Sequence, residues 1–195
     1  MADFQRETAV RLFAQEMRES SHTIKEGEDQ YAPTYLITPT GARCNRVFVV
    51  GVLTEKDDVG QEAEYWRARV TDPTGAFIVF AGQYQQEAAR ALVDAEVPSI
   101  VAVVGKPHVY QTQDGNTVTS IRGESVAMVD DVTRDLWVAE TVRHTLQRIK
   151  ERDGSSPGAA LARERYQFDP APYKEMLLKA ARSLRSLEVQ VEELG

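Results

Sequence analysis

The sequence predicts a mainly β protein: a five-stranded OB-fold barrel with an N-terminal extension and a C-terminal helix. Three observations lead there. Five short runs, 46–54, 64–72, 76–82, 99–106 and 117–129, have the length and β-branched or aromatic content of strands. One helical segment, 85–92, falls between the third and the fourth. A long helix follows the fifth, over 131–152. Strands in that order, with the helix in that place, give a partly open Greek-key barrel whose outer face binds oligonucleotides or oligosaccharides.

Before the barrel, residues 1–45 read as a segment that packs on it. Residues 1–20 carry Phe4, Ala9, Leu12, Phe13 and Met17 near helical spacing. Residues 26–30 are polar and loop-like. Tyr35-Leu36-Ile37 is a short strand, closed by the turn Thr38-Pro39-Thr40-Gly41, and is expected to add to the barrel.

The barrel proper spans 46–130. Its first strand is apolar on both faces, and Gly51 marks a bend or bulge. An acidic loop, 55–63, follows. The second strand alternates, with Trp66, Ala68 and Val70 assigned to the core and Tyr65, Arg67 and Arg69 to the outside. Asp72-Pro73-Thr74-Gly75 is a turn. The third strand points Phe77, Val79 and Ala81 inward, Ile78 and Phe80 outward. Lys106-Pro107 ends the fourth strand. Gln113-Asp114-Gly115-Asn116 is the hairpin turn into the fifth.

Asp131 or Thr133 can cap the helix that follows. Val132, Leu136, Ala139, Val142, Leu146 and Ile149 form a narrow heptad-like seam on it. The seam can plug the chain's own barrel or meet partner helices, and assembly is the favoured reading. Trp137 lies off the seam, as a packing or interface residue. Residues 153–158 are a linker, and 159–195 a helical tail with one apolar stripe over 172–193, through Met176, Leu177, Ala180, Leu184 and Leu187.

Composition limits the function. The chain has 195 residues, 42% hydrophobic and 27% charged, enough for a packed core. It has no signal peptide pattern and no apolar run near the ~18 residues a membrane helix needs, so a cytoplasmic location without membrane contact is expected. The single Cys44 excludes an internal disulfide and a zinc site, although neighbouring Arg43 and Arg46 could favour its thiolate. His22, His108 and His144 share no ligand spacing, and no phosphate-binding loop, dinucleotide fingerprint or nucleophile elbow is present. No catalysis, metal or cofactor is expected. The net charge is −7, and residues 46–130 hold seven Lys and Arg against twelve Asp and Glu, a net −5. That excludes a binder of duplex DNA by bulk electrostatics. It leaves single strands, which are held by stacking and a few local cations.

The candidate contacts for a single strand are Tyr65, Arg67, Arg69 and Phe80 on strands two and three, Tyr84 just past strand three, Tyr110 in the loop after strand four, and Lys106 and Arg122 for phosphates.

Four blocks carry a family resemblance: residues 39–51 (Pro39-Thr40-Gly41-Ala42-Arg43 onward), Trp66-Arg67-Ala68-Arg69-Val70-Thr71-Asp72-Pro73-Thr74-Gly75, Arg11-Leu12-Phe13-Ala14-Gln15-Glu16 and Tyr31-Ala32-Pro33-Thr34-Tyr35. Together they resemble archaeal replication protein A–associated proteins, over about residues 6–150. The barrel-plus-helix layout is also similar to the middle subunit of eukaryotic replication protein A. The resemblance implies a non-catalytic subunit of a single-stranded DNA-binding complex of replication and repair. It implies that the seam over Val132–Ile149 joins a three-helix bundle with larger subunits of a heterotrimer. It implies base stacking near Phe80 and at Tyr110. The zinc ribbon of some larger archaeal subunits is absent, and the tail is short for a complete winged helix. Two other readings stay open: a scaffold subunit whose barrel binds only protein, and a barrel for RNA or oligosaccharide.

Overall fold

Val10 and Arg11 form a two-residue strand, β1, and a five-residue helix, α1 (Ala14–Arg18), follows. Next come β2 (His22–Lys25), β3 (Thr34–Ile37) and β4 (Arg43–Cys44). The barrel strands are β5 (Val47–Asp58), β6 (Tyr65–Asp72) and β7 (Gly75–Gly82), then, after α2 (Gln86–Asp94), β8 (Ser99–Gln111) and β9 (Thr117–Met128). Helices α3 (Asp131–Glu151), α4 (Pro157–Arg165) and α5 (Pro170–Arg182) complete the computed structural model, which describes residues 7–30 and 32–185. Phe4, Tyr31, Leu187 and the part of the expected tail helix past residue 185 lie outside the described residues.

The strands run β5-β6-β7-β9-β8 and close from β8 back onto β5, with β7–β9 parallel and the other four pairings antiparallel. This is the OB barrel expected from the strand order. Closure depends on β5 serving two neighbours. Its Val47–Leu53 half pairs with β8, its Val52–Asp58 half with β6, and a bulge between Leu53 and Glu55 bends it from one to the other. Gly51, expected at the bend, instead sits where β6 comes close. A Cβ there would lie 2.5 Å from the Thr71 carbonyl oxygen.

Alternation places Val49, Ala68, Val70, Phe77, Val79, Ala81, Val101, Val103 and Ile121 in the barrel interior, all buried. Trp66 lies on the inner face as expected, opposite Ala81 and packed against the core. It is only partly buried, with the Lys56 ammonium 5.9 Å from its ring centre. Lys56 Nζ donates to the carbonyls of Leu92, Val93 and Ala95, closing the C-terminal end of α2.

The N-terminal segment differs from the expected helix. Val10 and Arg11 add to the edge of β5 in parallel, and Leu12 and Phe13 sink completely into the core. α1 is held by the β6–β7 turn. Asp72 Oδ2 accepts from the Ala14 amide at 2.8 Å, while Oδ1 accepts from the amides of Thr74 and Gly75 and from the Thr74 hydroxyl. Burial raises the Asp72 carboxyl pKa, and these donors oppose the rise. The Tyr35–Ile37 strand does not join the barrel. β2 and β4 occupy both its edges in a separate three-stranded sheet.

α3 is capped by Asp130 rather than by Asp131 or Thr133, and its Oδ1 accepts from the Thr133 amide at 2.8 Å. Its inner face is Trp137, Val138, Thr141 and Thr145. Trp137 Nε1 donates to the Phe48 carbonyl at 2.9 Å, and the ring meets Phe13 edge-on at 5.5 Å. A buried ion pair ties α3 to α1. Arg148 Nη2 lies 2.9 Å from Glu16 Oε2, with Thr40 and Thr145 completing the donors and acceptors.

The tail forms two helices rather than one and folds back on the N-terminal segment. Arg152 donates to the carbonyls of Pro39, Ala162 and Tyr166. The Tyr166 hydroxyl donates to the Ile37 carbonyl and accepts from the amides of Ser21 and His22. Met176, Leu177 and Ala180 are buried, as the apolar stripe requires.

Candidate nucleic-acid interface

Register across the sheet assembles the candidate site. Arg67 on β6 pairs with Asp57 on β5 and with Phe80 on β7. Phe80 pairs with Arg122 on β9, and Arg122 with Lys106 on β8. Paired residues in a ladder share a face. Asp57, Arg67, Phe80, Arg122 and Lys106 therefore form one row across all five barrel strands, on the outer surface. The next inward neighbours, Val79 and Ile121, are fully buried.

Tyr65 leans onto this row. Its ring stacks on Phe80 with centroids 5.4 Å apart and planes 11° apart. Offset packing of this kind holds both rings in place. Tyr65 remains 43% exposed and Phe80 is half-buried. Across a shallow groove of about 300 Å³, His108 and Tyr110 make a second stacked pair at 5.9 Å. Ser120 and Arg122 form the groove floor between the two pairs.

Sequence reasoning missed His108 because it ended the fourth strand at Pro107. β8 continues to Gln111, so Tyr110 stands on a strand rather than in a loop. β5 leaves β8 at Gly105, and a strand with one free edge tolerates a proline. The signal was present: Lys106, His108 and Tyr110 keep the two-residue outward period past the proline. Partial burial and the nearby Arg122 guanidinium hold the His108 imidazole below its ordinary pKa of 6.5. At neutral pH it is an uncharged ring that can stack.

The cations divide into free and engaged. The side chains of Arg122 and Lys106 have no ion-pair partner among the described residues, and both are exposed. Arg69 is exposed on the same face, and Arg67 has only a loose contact with Asp57 at 3.9 Å. Lys56 caps α2, and Arg46 is held by Glu124 in a two-point pair. Tyr84 is 87% exposed past the end of β7, away from the stacked pairs, in a depression it shares with Arg46, Glu87 and Glu124.

The assembly seam divides too. Val132, Leu136, Ala139 and Leu146 are exposed, whereas Val142 and Ile149 are partly buried against the core. Four of the six seam residues therefore face away from the barrel, and the helix packs on its own chain through Trp137, Val138, Thr141 and Thr145 instead. Cys44 is not an activated thiol. It is buried, its Sγ donates to the Leu36 carbonyl, and burial pushes its pKa up to about 12. No cluster of three or more potential metal ligands occurs among the described residues, and none of their helices is long and apolar enough to cross a membrane.

No protein-family model and no curated protein sequence matches the chain. Among solved structures it is similar to the second single-stranded DNA-binding protein, SSBb, of Mycobacterium smegmatis, with 18% identity and a TM-score of 0.39 over 47% of this chain and 90% of that one. It is similar to the mitochondrial single-stranded DNA-binding protein Rim1 of S. cerevisiae, with 17% identity and a TM-score of 0.34 over 44% of this chain and 94% of that one. It is also similar to an OBody bound to hen egg-white lysozyme, with 15% identity and a TM-score of 0.37 over 44% and 80% of the two chains.

Proposed function

We propose that this chain binds single-stranded DNA on the outer barrel face, without catalysis, as a subunit of a replication protein A–like complex. The observation that carries the reading is the groove between two stacked aromatic pairs, with free Arg122 on its floor and free Lys106 beside it. Bases present π-faces that such rings accept regardless of sequence, and the cations take phosphates. Duplex DNA hides those faces. The resemblance of residues 6–150 to archaeal replication protein A–associated proteins supports the assignment to a complex. The test is fluorescence anisotropy of a labelled single-stranded oligonucleotide, titrated with the chain alone and with its larger partner subunit. Binding that weakens with salt and with loss of the Phe80 and Tyr110 rings supports the reading. Unchanged affinity in that double variant removes it.

A second reading is favoured by the exposed apolar side chains of Val132, Leu136 and Leu146 on α3. In that reading the chain is a scaffold whose barrel meets protein and leaves DNA to its partners. The net −5 charge of residues 46–130 also favours it. It predicts no change in the salt dependence of DNA binding when this chain joins the complex.

A further inference from the structure

At Arg122 the surface groove forks. One branch runs toward Tyr84 and Arg46, shares Lys106 and Arg122 with the other, and is lined also by the carboxylates of Glu87 and Glu124, the latter paired with Arg46. The other runs off the barrel into a slot of about 310 Å³ between β8 and the N-terminal sheet. Its walls are Thr23, Thr34 and Asn45 on one side and Lys106, His108 and Arg122 on the other. Among the described residues, no carboxylate lines this slot, nor the aromatic groove that leads into it. In a chain of net charge −7 that is a selective clearing. Lys25 stands opposite Thr34 in the β2–β3 register and adds a further cation on that face. Glu26, next in sequence, is engaged by Arg43 at 2.5 Å.

We infer that a bound single strand leaves the aromatic groove through this slot, so that the N-terminal sheet is part of the binding surface and Tyr84 is not. The inference rests on the nucleic-acid reading of the barrel face and specifies its path. In the Tyr84 branch a polyanion meets the exposed Glu87 carboxylate beside the Arg46-paired Glu124, whereas the slot offers it cations, hydroxyls and an amide among the apolar Ala32, Pro33, Pro107 and Val109. The side chains of Thr23, Thr34 and Asn45 suit sugar and phosphate oxygens, whereas the stacked pairs suit bases. Recognition is thus divided: rings on the barrel hold bases, and the N-terminal sheet holds the backbone that extends beyond them.

The experiment is anisotropy with labelled oligothymidylates of increasing length, from about 4 to about 16 nucleotides. It uses the full chain and the variants Thr34→Glu, Asn45→Asp, Tyr84→Ala and Phe80→Ala/Tyr110→Ala. Thr34 is exposed and Asn45→Asp is nearly isosteric, and circular dichroism checks that each variant is folded. The expected result is that Thr34→Glu and Asn45→Asp weaken the longer oligonucleotides by about fivefold, the effect of one added like charge near a phosphate in water. They leave the shortest binding oligonucleotide unaffected, and Tyr84→Ala changes neither. If Tyr84→Ala weakens the long oligonucleotides while the slot variants do not, the path is wrong and the barrel-face reading stands. If slot and Tyr84 variants alike have no effect at any length, the strand stays on the barrel and the inference fails alone. If no oligonucleotide binds, or the Phe80/Tyr110 variant binds normally, the barrel-face reading fails and this inference falls with it.

Discussion

Phe80 on β7 stands directly opposite Arg122 on β9, in a parallel pairing only two residues long. This pair sets an aromatic ring and a guanidinium side by side at the barrel's parallel pairing. Loss of Phe80 or Tyr110 to alanine should each cost about 1–3 kcal/mol of single-strand affinity. Arg122→Ala should instead weaken binding about equally for all sequences and reduce the salt slope by about one ion. Anisotropy titrations across salt concentration separate the two effects.

How far the sequence could reveal this pair is instructive. Alternation within each strand was enough to turn Phe80, Arg67 and Tyr65 outward, because the period of two is local. The row that joins Arg67, Phe80, Arg122 and Lys106 was not legible. It depends on cross-strand register, and the β5 and β8 bulges shift that register by amounts the sequence does not show. The N-terminal segment misled for another reason. Leu12 and Phe13 fit a helical spacing, yet they are buried as the link between an edge strand and a helix whose first amide is held by Asp72, 58 residues away. The tail's two helices were hidden because their start signals, Ser156 before Pro157 and Asp169 before Pro170, read equally as loop.

Cys44 should resist thiol reagents in the folded protein. Its folded pKa of about 12 lies above the ordinary 9.0, so little thiolate exists at pH 8 and the sulfur is buried. Labelling by a disulfide reagent should follow the rate of unfolding. The same shift has a stability consequence. The unfolded thiol ionises first, so the contribution is complete below pH 9.0 and is lost as pH rises toward about 12. The slope is about 1.4 kcal/mol per pH unit. Urea titrations at rising pH should show this decline, and Cys44→Ala should remove about one proton's worth of it.

Lys56 should matter to stability and not to DNA. Its ammonium donates to three carbonyls at the end of α2. Lys56→Met keeps an unbranched side chain of similar length and leaves those carbonyls to water. A loss of about 1–2 kcal/mol is expected, since the site is only partly buried. Chemical denaturation measures it, and single-strand affinity should be unchanged. A parallel loss of affinity would mean that this lysine also reaches the nucleic acid.

The Glu16–Arg148 pair should be costly to break from one side. Glu16 is completely buried, so Arg148→Met leaves a carboxylate without its cation and should cost about 3–5 kcal/mol. Glu16→Gln combined with Arg148→Met removes both charges and should recover part of that loss. A double-mutant cycle by urea unfolding gives the coupling directly. Strictly additive single effects would mean the two side chains are held independently by Thr40 and Thr145.

The outer face of α3 gives the sharpest separation between folding and assembly. Leu136 is 62% exposed, whereas Trp137, its neighbour, is buried. Leu136→Glu should therefore change stability by no more than about 0.5 kcal/mol. If the seam is an assembly surface, the same variant places a charge in an apolar helix interface and should abolish co-elution with the larger subunit in size-exclusion chromatography. Trp137→Ala should behave in the opposite way. It removes the hydrogen bond to the Phe48 carbonyl and the contact with Phe13, so the barrel itself is destabilised by about 3–5 kcal/mol. Co-elution that survives Leu136→Glu would assign the exposed leucines no part in assembly and leave the barrel face as the contact surface.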